Sequence, residues 1–169
     1  MSRSPDRAAV LFAKFNAINQ ALVTKLREMP AAAAEHVPGD DQWSAAQVGW
    51  HVALTNDWIA GVLLGSTPAV HPAPAGFKEC FDAGALPATV NSLAAFEPPP
   101  AVSLDTALGR LRASGQRVSK AIAALTPERG ANYCVTLGCG TLSLFEFAEF
   151  AASHLGRHVA QVDRALARA

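Results

Sequence analysis

Two histidines four residues apart, His154 and His158, lie in a stretch whose apolar residues recur at helical spacing. On a helix, positions i and i+4 share a face and bring their Cβ atoms to about 5–6 Å. That separation suits two imidazoles ligating one cation. The face carries as much information as the spacing: Leu144, Phe147, Ala151, His154, His158, Val162 and Ala165 form one stripe, while Glu146, Glu149, Arg157, Arg164 and Arg168 lie mostly elsewhere. The pattern predicts two inward-pointing imidazoles. A single histidine on an apolar face is ordinarily a core residue satisfied by hydrogen bonds. A stacked pair is different, because a divalent cation satisfies one ring nitrogen on each at once.

A catalytic site of this kind needs a third ligand. His51 is the candidate, since it is the one other histidine inside a predicted helix, whereas His36 and His71 sit near prolines in linkers. Three neutral imidazoles leave a tetrahedral ion with one open position, the arrangement of a catalytic site as opposed to a closed structural one. Zinc, nickel and ferrous iron all accept imidazole, and ligand type does not choose among them. The charge of any of them acidifies a bound water or thiol, giving hydroxide or thiolate near neutral pH.

Other residue types are less specific. Gln47, Thr55 and Gln161 lie within a helical turn of the three histidines and could orient imidazoles, with capping or solvation as the alternative. Trp50, Trp58 and Phe147 could line a pocket, although aromatic residues on such helices are usually core. Cys134 and Cys139 have the spacing neither of a zinc knuckle nor of a dithiol redox motif. The chain has no phosphate-binding glycine loop, no dinucleotide fingerprint and no nucleophile elbow. The sequence therefore names no catalytic side chain beyond the three metal-ligand candidates.

Four helical segments must position these groups. The first opens with Ser4 as N-cap and Pro5 at the first helical position, and carries Leu11, Phe15, Ile18, Leu22 and Leu26 on one face to about Met29. Pro38-Gly39-Asp40 marks a turn in the linker that follows. The second begins with the capping box Ser44-Ala45-Ala46-Gln47, with Trp43 placed as a hydrophobic staple; it turns Val48, Val52, Thr55, Ile59, Val62 and Leu63 inward and ends at Gly65 and Pro68. The third follows Ser103 with Leu104, Leu108, Leu111, Val118 and Ile122, and stops at Thr126-Pro127. A second capping box, Ser143-Leu144-Phe145-Glu146, opens the fourth, which continues to about Ala167.

Between the second and third helices, residues 66–102 are broken by many prolines, including Pro98-Pro99-Pro100. Phe77, Phe81, Leu86, Leu93 and Phe96 predict that this crossover packs over one end of the core and walls the metal site, with short helical turns inside it. Residues 133–142 read as an irregular turn or a very short hairpin. Without a credible sheet, the expected architecture is all-α: a four-helix bundle with a long crossover between helices 2 and 3.

Length and composition are consistent with this. A chain of 169 residues suits one domain spanning 1–169, and half of its residues are hydrophobic while 17% are charged, which excludes intrinsic disorder. Fourteen basic side chains balance fourteen acidic ones, so no basic field favours nucleic acid. The longest apolar run, residues 59–64, falls far short of the ~20 residues of a membrane span. Charged residues interrupt the first segment, so no signal peptide is expected, and an odd count of three cysteines fits a reducing compartment, the cytoplasm.

The segment Gln42-Trp43-Ser44-Ala45-Ala46-Gln47-Val48-Gly49-Trp50-His51 resembles the W-S-x-x-[EQ]-h-x-x-H opening of the DinB/YfiT-like superfamily. Gly140-Thr141-Leu142-Ser143-Leu144-Phe145-Glu146-Phe147, followed by His154-Leu155-Gly156-Arg157-His158, resembles that family's Gly-x-x-[ST]-h-x-E segment and its H-x-x-x-H pair. The resemblance implies a four-helix bundle, a three-histidine metal site on His51, His154 and His158, and a homodimer. It also implies an activity class, since characterised relatives include transferases and isomerases that use low-molecular-weight thiols such as bacillithiol, mycothiol or glutathione. The leading expectation is a metal-dependent enzyme that moves such a thiol onto a small electrophilic substrate. The alternatives are a metal-activated-water hydrolase and a non-enzymatic metal-binding stress-response protein. The many prolines of the crossover and Cys134 and Cys139 depart from the family pattern, which leaves the substrate pocket unassigned.

Overall fold

Four long helices dominate the chain because four stretches carry an apolar stripe long enough to bury. The computed structural model describes residues 6–39, 42–85 and 94–166. Among them are helices α1 (Arg7–Glu28), α2 (Ala31–Glu35), α3 (Ala45–Leu64), α4 (Leu104–Ala123), α5 (Pro127–Asn132) and α6 (Leu144–Leu166), with strands β1 (Val70–Pro72), β2 (Tyr133–Leu137) and β3 (Gly140–Ser143). Helix α1 packs on α4 and α6, and α3 packs on the same two. Phe15, Leu22, Leu26, Val48, Val52, Ile59, Leu111, Ile122, Leu144, Phe147 and Leu155 fill the space between them. Exposed ion pairs, Lys14 with Glu149 and Arg117 with Asp57, join neighbouring helices at the rim, where such pairs contribute at most about 1 kcal/mol each.

The helix ends follow local chemistry. Ser44 Oγ accepts from Gln47 N and Gln47 Oε1 accepts from Ser44 N, the reciprocal box the sequence predicts. Gly65 ends α3 at φ 74°, a left-handed conformation that a Cβ disfavours. Ser103 caps α4. The N-cap of α1 is Asp6, whose carboxylate accepts from Ala8 N; Ser4 and Pro5 lie outside the described residues. Asp40 of the linker turn, Leu86 and Leu93 of the crossover, and Arg168 also lie outside them. Thr126 and Pro127 follow the end of α4 and also start a helix, with Thr126 Oγ1 accepting from Arg129 N and Pro127 at the first position of α5. Gly130 of α5 sits where a Cβ would fall 2.3 Å from the Phe145 ring, so the helix can approach α6 only without a side chain there.

The expectation of an all-α chain without a sheet needs correction. Strands β1, β2 and β3 form a three-stranded antiparallel sheet in that order, with Val70 opposite Val135 and Val135 opposite Leu142. The β2–β3 hairpin is the short hairpin that residues 133–142 suggest. Its third strand comes from the start of the crossover, with Pro72 on an outer edge where its missing N–H is tolerated. Three residues are too few to show a period of two, and their partners are some sixty positions away.

Glu146 is the larger surprise. Its acidic side chain suggests an outward position, yet it is 3% exposed. Glu146 Oε2 accepts from Ser143 N, completing the predicted capping box, and Oε1 accepts from both Cys80 N and Phe81 N at 2.5 Å. Nearby, Glu79 pairs with Arg7 at 2.6 Å and accepts from Ser143 Oγ. The crossover is thus tied to the start of α6. Further along, short 3-10 turns at Ala83–Ala85 and Ala94–Phe96 supply the helical turns expected in it. Among the described residues, no helix is long and apolar enough to cross a membrane.

Replacing Glu146 by Ala strands three backbone donors and should cost about 2–4 kcal/mol in stability. Urea denaturation measures that loss, and trypsin should cut faster after the exposed Lys78 in the variant, since its anchor at residues 80–81 is gone. An unchanged cleavage rate would show that the tie does not hold the crossover.

Candidate metal centre

The apolar faces of α3 and α6 meet along one seam, and the three histidines are placed on it. His51 lies one and two turns ahead of Thr55 and Ile59 on the buried face of α3. His154 and His158 follow Phe147 and Ala151 on α6, so helical spacing sets both imidazoles toward α3. His51 is buried, and the other two are half-buried. Ring centroids are 4.5 Å apart for His154 and His158, 4.7 Å for His51 and His158, and 5.6 Å for His51 and His154. One nitrogen from each ring lies within 4.8 Å of the corresponding atoms of the other two. The structure brings together all three residues that the sequence singles out. His36 is exposed beyond α2, and His71 is in β1, where its ring contacts Thr136 Oγ1 and the Pro72 carbonyl.

Hydrogen bonds fix which nitrogen two of the rings offer. Phe96 O accepts from His51 Nδ1 at 2.8 Å, which puts the proton on Nδ1 and leaves Nε2 with a free lone pair. Gln161 Oε1 accepts from His158 Nδ1 at 2.8 Å, with the same consequence for that ring. Nε2 of His158 then faces Nε2 of His154 at 3.1 Å. Two imidazole nitrogens bound tetrahedrally to one ion at 2.0–2.1 Å stand about 3.3–3.4 Å apart. The α6 pair therefore already has the spacing a shared ion requires, and without an ion the same distance serves one N–H···N hydrogen bond. A donor set of three imidazoles, two of them with the tautomer set by a hydrogen bond, fits zinc, nickel or ferrous iron.

Electrostatics keep these rings uncharged. Burial pushes the pKa of His154 well below its ordinary value, with His158 and His51 adding to the effect. Burial, with help from His51, lowers His158 to about 4 against the opposing pull of Gln161. Burial also lowers His51, partly offset by its bond to the Phe96 carbonyl. Neutral imidazole is the form that binds a cation.

Of the polar neighbours the sequence marks, Gln161 alone touches a ring of the cluster. Thr55 Oγ1 donates to the backbone carbonyl of His51. Gln47 completes its capping box and donates through Nε2 to the carbonyls of Pro99 and Pro100, so it holds the crossover to α3. Trp58 and Phe147 lie on the seam in edge-on contact at 5.5 Å, whereas Trp50 is elsewhere, covered by Arg110 at 4.1 Å. Sequence reasoning missed the Phe96 carbonyl, for which no side-chain signal exists. Cys80, Cys134 and Cys139 are free thiols outside the cluster, and burial raises the pKa of Cys134 with Glu146 and Glu79 contributing.

The sequence profile described as the DinB superfamily matches residues 15–162, a span that includes all three histidines. Comparison with curated proteins and with solved structures gives no match.

The lowered histidine pKa values make acid destabilising for the metal-free protein. The unfolded chain takes up protons near pH 6.5 that the native imidazoles refuse, so stability falls as pH drops below about 6.5, and for His158 the fall continues to about 4. Urea midpoints of chelator-treated protein between pH 7.5 and 4 measure this slope, which should be shallower in His158→Gln. Equal slopes would mean that His158 is not held neutral in the native state.

Proposed function

The chain belongs to the DinB superfamily, and on that premise, together with three imidazoles whose ligand nitrogens lie within 4.8 Å of one another, we propose that His51, His154 and His158 hold a divalent cation in a four-helix-bundle enzyme that transfers a low-molecular-weight thiol to an electrophile. The observation that carries the metal reading is the 3.1 Å approach of two Nε2 atoms whose half-buried rings are held neutral. Zinc, nickel and ferrous iron suit these ligands equally. A bound cation supplies Lewis acidity at the position the three histidines leave open, lowering the pKa of a thiol or water placed there.

The chain's own residues do the rest. Phe96 O and Gln161 hold the His51 and His158 rings with their Nε2 lone pairs free. The apolar seam, with Phe147 fully buried beside it, limits water at the cluster. In the transfer itself the thiol proton passes to solvent, and the sulfur forms a C–S bond to the electrophilic carbon as the leaving group departs with the bonding pair. Support for the thiol comes from the family resemblance, and the metal-activated-water hydrolase is the competing use of the same open position.

Purified protein loaded with zinc, nickel or iron should retain a single ion per chain by elemental analysis. His154→Ala and His158→Ala should lose it while keeping the far-ultraviolet circular dichroism of a helical protein. Conjugation of glutathione, mycothiol or bacillithiol to a generic electrophile should depend on the metal. Metal-dependent hydrolysis of esters or amides without any thiol-dependent rate would replace transfer by hydrolysis, and silence in both would leave a metal-binding protein without catalysis.

A further inference from the structure

Five half-buried aromatic rings collect at one place on this protein, while Trp50, also half-buried, lies elsewhere. Phe15, Phe145 and Phe147 are sealed in the core, while Trp43, Trp58, Phe81, Phe96 and Phe150 remain half-buried. Each of those five touches a histidine of the cluster, Phe147, or another ring of the group. The contacts close on themselves. From His154, Phe150 stacks at 6.0 Å and Phe147 stacks on Phe150 at 5.8 Å, with interplanar angles of 22° and 8°. Trp58 meets Phe147 edge-on, and Phe96 leans on Trp58 at 5.8 Å. The Phe96 carbonyl then reaches His51, which is 5.6 Å from His154.

This belt joins α3, α6 and the 94–96 turn of the crossover, whereas Arg7, Arg110 and Arg129 lie over Phe145, Trp50 and Tyr133, none of which belongs to it. Asp57, next to Trp58, is paired with Arg117. Arg157 places positive charge near His154 and His158. A charged group placed against the belt loses its hydration without gaining a partner, whereas a flat apolar body finds ring faces to stack on.

We propose that this belt is the subsite for the substrate body, and that the site takes an electrophile with a flat, uncharged, apolar skeleton. The skeleton lies against Trp58, Phe96 and Phe150 with its reacting carbon toward the three imidazoles. This inference rests on the metal-site reading for its orientation, but binding of the skeleton to the belt does not need the metal.

The test uses 2-naphthol, an unreactive neutral probe, with the full chain in equilibrium dialysis, both zinc-loaded and after chelation. Saturable binding at one site should survive chelation, weaken at least tenfold in Trp58→Ala and stay unchanged in Trp50→Phe, whose ring lies outside the belt. Decahydro-2-naphthol, of similar size but not flat, and 2-naphthoate, flat but charged, should each bind the chelated protein at least tenfold more weakly. Circular dichroism checks the fold of Trp58→Ala, and Phe150→Leu probes the same wall from α6 if that variant is unfolded. Undiminished binding in the folded variant, equal binding of either analogue, or no binding of 2-naphthol at millimolar concentration overturns the subsite. Zinc retention is read separately: a chain that binds 2-naphthol but no metal refutes the metal site and leaves the belt standing.

Discussion

Burying three imidazoles in an apolar seam is costly unless their ring nitrogens find partners, and the arrangement of this protein follows from how that demand is met. The seam between α3 and α6 offers almost nothing polar from its own helices. Gln161, one turn beyond His158, supplies one acceptor. For His51 the acceptor comes from outside the helices, from the Phe96 carbonyl. With both Nδ1 atoms satisfied there, Nε2 is the nitrogen each of these rings has left to offer, and that of His158 meets Nε2 of His154. The gathering of the three rings is therefore a result of the hydrogen bonding around them as much as of helix geometry.

That dependence gives weight to the points at which the crossover is fastened, residues 80–81 and 99–100. Glu146 takes the N–H groups of Cys80 and Phe81, and Gln47 donates to the carbonyls of Pro99 and Pro100. Both residues are the third positions of capping boxes, so each uses one side-chain oxygen to finish a helix start and its other polar atom to hold the crossover. Helix initiation and crossover placement share the same two side chains. The sheet adds a third attachment, pairing the crossover's first residues with β2.

Much of this was legible in the sequence because it is encoded locally. The pair His154 and His158 follows from helical periodicity, Ser44 with Gln47 and Ser143 with Glu146 follow from capping chemistry, and Gly65 follows from the need for a left-handed residue. What escaped is encoded by partners distant in the chain. Glu146 looks like a solvent-facing acid until Cys80 N and Phe81 N are brought to it. Strand β1 has too few residues to show alternation and exists because β2 offers it a ladder. The acceptor for His51 is a main-chain atom in a stretch that reads as broken by prolines, and no residue type announces it.

That main-chain atom has a consequence for how the protein tolerates change. A carbonyl oxygen is present whatever amino acid occupies position 96, so substitution there alters the ring against Trp58 while the acceptor for His51 persists. What can displace it is a change in chain length between position 96 and the anchor at 99–100, which would carry a different peptide unit into the place opposite the imidazole. The orientation of His51 is thus sensitive to insertions and deletions and largely indifferent to identity at position 96. Within such a fold the crossover can drift in composition while its spacing remains under constraint.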